Sequence, residues 1–256
     1  MYVNNKKWYG ICCFIILFLS LVILPIVPQT IDAKTKSVAE DTYQAPKAPT
    51  AIYQVNTTKK MVALTFDISW GEKTPGPVLD VLQAKKLNKA TFFLSGPWTL
   101  QHAEIAKRIK DMGFEIGSHG HAHKNFSEFD DAWIDGQVRK AQEAIYQVTG
   151  VKTTLIRTPN GDFNKRVLTK LNAMGYKVIQ WKTDSLDWKN PGVSTIVQRV
   201  VTKAVPGDII LMHASDSCKQ TVQALPTIID GLRQKGYQFV TVSELLSEAN
   251  ISSKES

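Results

Sequence analysis

Seven short apolar runs recur along the chain, at residues 61–66, 90–94, 114–116, 154–156, 177–181, 208–212 and 238–242. Between them lie stretches with helical patterning at 78–86, 102–112, 130–148, 165–174, 194–204 and 221–235. Strands alternating with helices at this spacing form a parallel sheet with helical crossovers. Several of the helical stretches close on a glycine, as in Met112-Gly113, Met174-Gly175 and Lys235-Gly236, the residue best able to terminate a helix. Seven such units suit a closed or nearly closed α/β barrel better than an open doubly wound sheet. No glycine-rich nucleotide fingerprint follows the first run.

The polar residues at the run ends point to chemistry. Asp67 follows the first run, His119 and His123 the third, and Arg157 the fourth; Asp187-Trp188 comes shortly after the fifth, and His213 directly follows the sixth. In a β/α barrel all of these fall at C-terminal strand ends, the face where such folds place their sites. The densest cluster is Ser118-His119-Gly120-His121-Ala122-His123, which holds three of the chain's five histidines. Neutral imidazole is the commonest protein ligand for zinc and its neighbours. His119 and His123 are four apart, so a helical segment would put both on one face with His121 pointing elsewhere. A merely solvated polar turn is the bland alternative, and it weakens because the other polar residues converge on the same face.

Before the first run, the chain reads as a leader and a tether. No charged residue occurs from Trp8 to Thr30, and Lys6 and Lys7 stand just ahead, the pattern of an export signal whose lysines stay on the cytoplasmic side. Residues 8–27 just suffice to span a bilayer at about 20 residues. We therefore expect a signal or anchor segment at 1–33, favouring an uncleaved anchor, then a linker at 34–58, a folded domain at 59–248 and a polar tail at 249–256. Cys12 and Cys13 lie in the leader, so Cys218 is alone in the domain and no intramolecular disulfide can form there. The net charge is +8, of which Lys6 and Lys7 supply two, leaving about +6. A basic exported domain suits an anionic polymer such as cell wall, or anionic lipid, as partner. No motif for reading nucleic acid accompanies the charge, which argues against that partner.

Five motifs in order make the chain resemble the polysaccharide deacetylases of the NodB-homology group, carbohydrate esterase family 4: Thr65-Phe66-Asp67, His119 to His123, Arg157-Thr158-Pro159, Asp184-Ser185-Leu186-Asp187-Trp188 and Leu211-Met212-His213. The wording at Phe66-Asp67-Ile68-Ser69-Trp70-Gly71 and Pro159-Asn160-Gly161-Asp162-Phe163-Asn164 looks closest to the sporulation-associated PdaB subgroup. The resemblance covers roughly residues 59–247. It implies a distorted (β/α)7 barrel that removes N-acetyl groups from cell-wall or chitin-like sugars.

By the same resemblance, His119 and His123 ligate a divalent metal, zinc or similar, and Asp67 is the general base. Arg157 pairs with Asp67, His213 protonates the departing amine, and Asp187 fixes the tautomer of His213. Trp188 and Leu211 wall the pocket for the acetyl methyl, while Trp70, Trp98 and Trp133 are candidates to stack on sugar rings. Two departures stand out. Ile68 occupies the place of the family's second, metal-binding aspartate, and Asn160 stands where an aromatic residue is common. The implied function is peptidoglycan-type N-deacetylation, in sporulation, at the membrane, cell wall or spore envelope. A catalytically impaired homologue that binds glycan and supports the spore envelope is the alternative that Ile68 favours. A glycoside hydrolase using Asp67 and Asp187 as its two carboxylates is a third reading, which leaves the histidines unexplained.

Overall fold

The computed structural model describes residues 49–252. The expected signal or anchor segment at 1–33, residues 34–48 of the expected linker and the last four residues of the expected tail lie outside them. No helix among the described residues is long and apolar enough to cross a membrane.

The strands are β1 (Met61–Ile68), β2 (Thr91–Leu94), β3 (Glu115–Ser118), β4 (Leu155–Ile156), β5 (Lys177–Val178), β6 (Thr183–Asp184), β7 (Asp208–His213) and β8 (Gln238–Val240). All pairings between them are parallel, in the order β5-β4-β3-β2-β1-β7-β6, with β8 paired to β1. The sequence suggested seven strands nearly closing a barrel; the structure has eight among the described residues, because only the start of the fifth apolar run is a strand and a further short strand, β6, follows that run. Only residues 179–182 separate β5 from β6. That is far too short for the crossover of a dozen or more residues that parallel neighbours require. The chain therefore runs across to the opposite end of the sheet, where Thr183 pairs with Ile210 of β7. The result is a half-barrel whose end strands do not pair. Residues expected in the linker help span the gap: Ile52 bridges to Ile179 and Gln54 to Asp208.

The helices are α1 (Pro75–Ala84), α2 (Gly96–Gln101), α3 (Ala103–Asp111), α4 (Asp131–Thr149), α5 (Lys165–Ala173), α6 (Val193–Lys203), α7 (Thr221–Gln234) and α8 (Val242–Ser252). Side-chain caps explain where two of them start: Asp130 accepts from the Trp133 amide at 2.8 Å and Asn164 from the Val167 amide at 3.0 Å. Alternate residues of β1 serve two layers, as a strand's period of two requires. Leu64, Phe66 and Ile68 pack with Val78, Leu79 and Leu82 of α1 and Leu225, Ile228 and Ile229 of α7. Ala63 instead joins Phe93, Leu155, Ile179, Ile209, Val242 and Leu245 in the barrel interior.

The last two of those residues correct the expected extent of the apolar run at 238–242 as a strand. The strand stops at Val240, and α8 closes the N-terminal end of the barrel. Thr241-Val242-Ser243-Glu244 is a capping box: Thr241 Oγ1 accepts from the Glu244 amide at 3.1 Å, and Glu244 Oε2 from the Thr241 amide at 2.8 Å. Burying Val242 and Leu245 contributes about 1.5–3 kcal/mol each.

Candidate active site

A cavity of about 430 Å³ opens at the C-terminal ends of the strands. Of the residues expected there, Asp67, His119, His123, Asn160, Trp188, Leu211 and His213 line it. Arg157 and Asp187 stand behind the lining, both fully buried. Pairing of Asp67 with His213 across β1 and β7 brings the two together.

Arg157 spends every side-chain nitrogen on its neighbours. Nη1 donates to Asp67 Oδ1 at 2.7 Å and to Thr65 Oγ1 at 2.9 Å; Nη2 and Nε donate to the Gln180 and Ile179 carbonyls at 3.1 and 3.3 Å. Its guanidinium also lies 4.3 Å from the centre of the Phe93 ring. A buried charge this fully partnered is fixed in place, and it holds Asp67 with it. Burial alone would raise the Asp67 pKa. The Arg157 guanidinium, with smaller contributions from His119 and His213, outweighs that and leaves it below the ordinary carboxylate value. Asp67 thus stays ionised, with Oδ2 free of Arg157 and 3.8 Å from His119 Nε2.

The histidine pair meets through a turn and not, as the spacing suggested, along a helix. Residues 119–123 are non-helical, and Gly120 adopts φ 73°, a left-handed conformation that glycine accepts without strain. The His119 and His123 ring centres are 5.3 Å apart. His119 Nδ1 lies 2.8 Å from the Arg157 carbonyl. A carbonyl only accepts, so Nδ1 carries the proton and Nε2 presents its lone pair. Burial pushes the His119 pKa down to about 4, and burial lowers that of His123 too, so both rings are neutral at pH 7. Two neutral imidazoles, one with its tautomer locked, fit a divalent cation, and Asp67 Oδ2 is within reach of the first. Ile68 adds nothing to that set: its side chain is fully buried in the apolar layer with Phe66, Leu94 and Trp98.

On the opposite wall, His213 Nδ1 donates to Asp187 Oδ1 at 2.7 Å. Asp187 Oδ2 accepts from the His213 amide at 2.8 Å and from Thr221 Oγ1 at 2.7 Å. Leu186, just before Asp187, is held at φ 58°, a strained backbone for such a residue that the surrounding bonds enforce. Burial would lower the His213 pKa, but the bond to Asp187 and its charge raise it above the ordinary value. Asp187 is fully buried behind His213 and does not line the cavity, which argues against the two-carboxylate glycosidase reading.

The remaining aromatic candidates divide. Trp70 lines the cavity and is half exposed, in edge contact with His123. Trp98 is a core residue whose Nε1 donates to the Gly71 carbonyl at 2.7 Å, and Trp133 stacks on Phe129 with ring centres 3.9 Å apart. Trp181, read only as part of a strand, also lines the cavity, as do Ser69 and Cys218. Asn160 sits at φ 58° and donates through Nδ2 to Asn125 Oδ1 at 2.8 Å. That left-handed conformation is one asparagine tolerates better than most residues.

The family model for polysaccharide deacetylase matches residues 54–179. The YlxY protein of Bacillus subtilis is 35% identical over 79% of this chain, and the chain spans 62% of its length. A peptidoglycan-N-acetylglucosamine deacetylase of Bacillus cereus is 34% identical over 76% of this chain and is covered over 92% of its own length. Among solved structures, BA3943 of Bacillus anthracis, a pseudoenzyme of carbohydrate esterase family 4, superposes with a TM-score of 0.73 at 34% identity, covering 78% of this chain and 70% of that one. The chain belongs to the polysaccharide deacetylase family.

Proposed function

We propose that the protein is a hydrolase that removes N-acetyl groups from peptidoglycan-type amino sugars. The observation that carries this reading is the Arg157–Asp67 and Asp187–His213 pairs facing one another across a cavity that also presents two neutral imidazoles. Amide hydrolysis needs a base for the attacking water and an acid for the departing amine. Asp67, kept ionised by Arg157, takes the proton from water through its free Oδ2. Asp187 holds the Nδ1 proton of His213, so Nε2 faces the cavity, and the raised pKa keeps a proton there to hand to the amine nitrogen. His119 and His123 would hold a divalent cation, zinc or similar, which when bound supplies Lewis acidity to polarise the acetyl carbonyl and make water ionise more readily. Trp188 and Leu211 enclose the acetyl methyl, and Asn160 borders the sugar. The glycan substrate is drawn from the relatives, one of which is a peptidoglycan-N-acetylglucosamine deacetylase.

Acetate release from N-acetylated cell-wall glycan tests the reading. Asp67→Asn and His213→Ala should each lower it by about 10²-fold or more, the usual scale for a general base or acid. Near-normal release from either variant removes that residue from the mechanism. Asp187→Asn should lower the pH at which the rate falls on the alkaline side, because it removes the charge that keeps His213 protonated.

A second reading is a catalytically impaired, glycan-binding homologue that supports the spore envelope. Ile68, buried where the family places a carboxylate, favours it, and so does the likeness to BA3943; a variant of that pseudoenzyme has restored enzymatic activity. Glycan binding without acetate under any divalent metal would select this reading. The leader pattern supports export, with the domain beyond the membrane or in the wall, and the wording around Asp67 supports a sporulation role. Finding the domain inside the cytoplasm by protease protection would overturn the export proposal.

A further inference from the structure

We propose that His213 and Cys218, with Asp187 behind the imidazole, form a second cation site, which takes a soft divalent ion such as zinc and blocks the acid side of the cavity. The blocking rests on His213 being the proton donor; the binding does not. Among the described residues Asp187, His213 and Cys218 each bring one side-chain oxygen, nitrogen or sulfur atom within 4.8 Å of the others. Imidazole and thiolate are both zinc ligands, a carboxylate commonly stands behind the imidazole, and a thiolate favours zinc over magnesium or calcium.

The surroundings supply what such a site needs. His213 and Cys218 both line the cavity, so an ion can reach them from solvent. Asp187 lies behind, and by accepting from Nδ1 it orients the ring and makes the other nitrogen a better donor, the arrangement of a carboxylate behind a metal-bound histidine. Cys218 has no role in the hydrolysis described above; its Sγ lies 3.7 Å from Ser217 Oγ, and burial, with the charge of Asp187, pushes the thiol up to about 12, so only a bound cation would draw off its proton. On entry of the ion the S–H bond breaks, the proton leaves to solvent, and thiolate sulfur and imidazole nitrogen donate their pairs; nothing is oxidised or reduced. With its ring nitrogen so engaged, His213 has no proton to give. Excess zinc would therefore inhibit a protein that needs a first ion at the histidine pair.

Cobalt and zinc titrations of the full chain test this. Cobalt should produce a near-ultraviolet thiolate-to-metal band in the wild type and equally in the His119→Ala/His123→Ala variant, and the band should vanish in Cys218→Ser. Asp187→Asn should weaken the cobalt affinity about 10–100-fold. Excess zinc should cut acetate release about tenfold or more in the wild type, and far less in Cys218→Ser, each relative to its own rate at one equivalent. Three results would overturn the site: no band in the wild type, a band that survives Cys218→Ser and so belongs to Cys12 or Cys13, or a band lost with the two histidines while the fold is intact. A band without any acetate release would uphold the site and sink the hydrolase reading instead.

Discussion

Two buried aspartates occupy opposite ends of the same strand pair, and their environments push them in opposite directions. Asp208 opens β7 opposite Val62, whereas Asp67, near the end of β1, lies opposite His213, which ends β7. Asp208 accepts from the Thr183 hydroxyl at 2.5 Å and the Thr183 amide at 3.2 Å. Those neutral donors only partly offset burial, and its pKa is pushed up to about 6. Asp67 is buried as well, but Arg157 touches it and its pKa falls. Burial raises both; a cation within bonding distance decides the sign. The protein therefore keeps a ready base at the C-terminal end and a structural carboxyl at the other.

The largest expected effect comes from adding a third aspartate with neither kind of partner. Ile68→Asp places a carboxyl among Phe66, Leu94 and Trp98. In metal-free protein at pH 8 it should cost about 3 kcal/mol or more, and less at pH 4, where the carboxyl is neutral. Zinc should raise the Tm of this variant more than that of the wild type, because an ion at His119 and His123 would draw the new carboxylate out of that layer and into its own shell. Thermal unfolding at both pH values, with and without zinc, measures this. A Tm unmoved by the substitution would show the new side chain turned to water, and an equal zinc effect in both proteins would show that residue 68 has no part in metal binding.

Asp208→Asn should act more modestly and with the opposite sign. A carboxyl whose folded pKa lies above its unfolded value gives stability that is full below about pH 4 and is lost as pH rises through about 6. Asn cannot ionise, so the variant should be more stable than the wild type at pH 8 by about 2 kcal/mol, allowing for one weakened bond from Thr183. Below pH 4 the advantage should disappear. Urea unfolding across that range measures it; a variant less stable at pH 8 would mean that the Thr183 bonds outweigh the desolvation. Acetate release should be unaffected at constant pH, since Asp208 lies at the far end of the strand from Asp67.

The C-terminal end was the more legible of the two. Strand–helix alternation defines strand ends, so Asp67, His119, Arg157 and His213 could be placed on one face from their order alone. Hidden from that logic were groups brought in by segments without periodicity. Trp181 lies between two strands of two residues each, and Cys218 in the turn before α7. The spacing of four at His119 and His123 left a helix open as one way to join them, while Gly120 gave the contrary signal of a turn. Ile68 was conspicuous as a missing ligand, yet its burial in the helix-facing layer depends on contacts with α1 and α7 that no local pattern displays. At the N-terminal end, α8 was missed although Thr241-Val242-Ser243-Glu244 spells a capping box, because the apolar run before it was extended too far as a strand.

That capping box provides the smallest test of the division between the two ends. Thr241→Ala removes the hydroxyl that accepts from the Glu244 amide, while Glu244 keeps its bond to the Thr241 amide and its ion pair with Lys89 at 2.5 Å. Losing one side of a reciprocal cap typically costs about 1 kcal/mol. Because Val242 and Leu245 pack beneath Phe93, and Phe93 lies under the Arg157 guanidinium, loosening α8 could in principle reach Asp67. The four hydrogen bonds of Arg157 to Asp67, Thr65, Gln180 and Ile179 do not involve α8. Thr241→Ala should therefore lower Tm by several degrees and leave the pH profile of acetate release in place. A shift in the acidic side of that profile would show that the apolar plug helps set the charge state of the base, and the two ends would no longer count as separate.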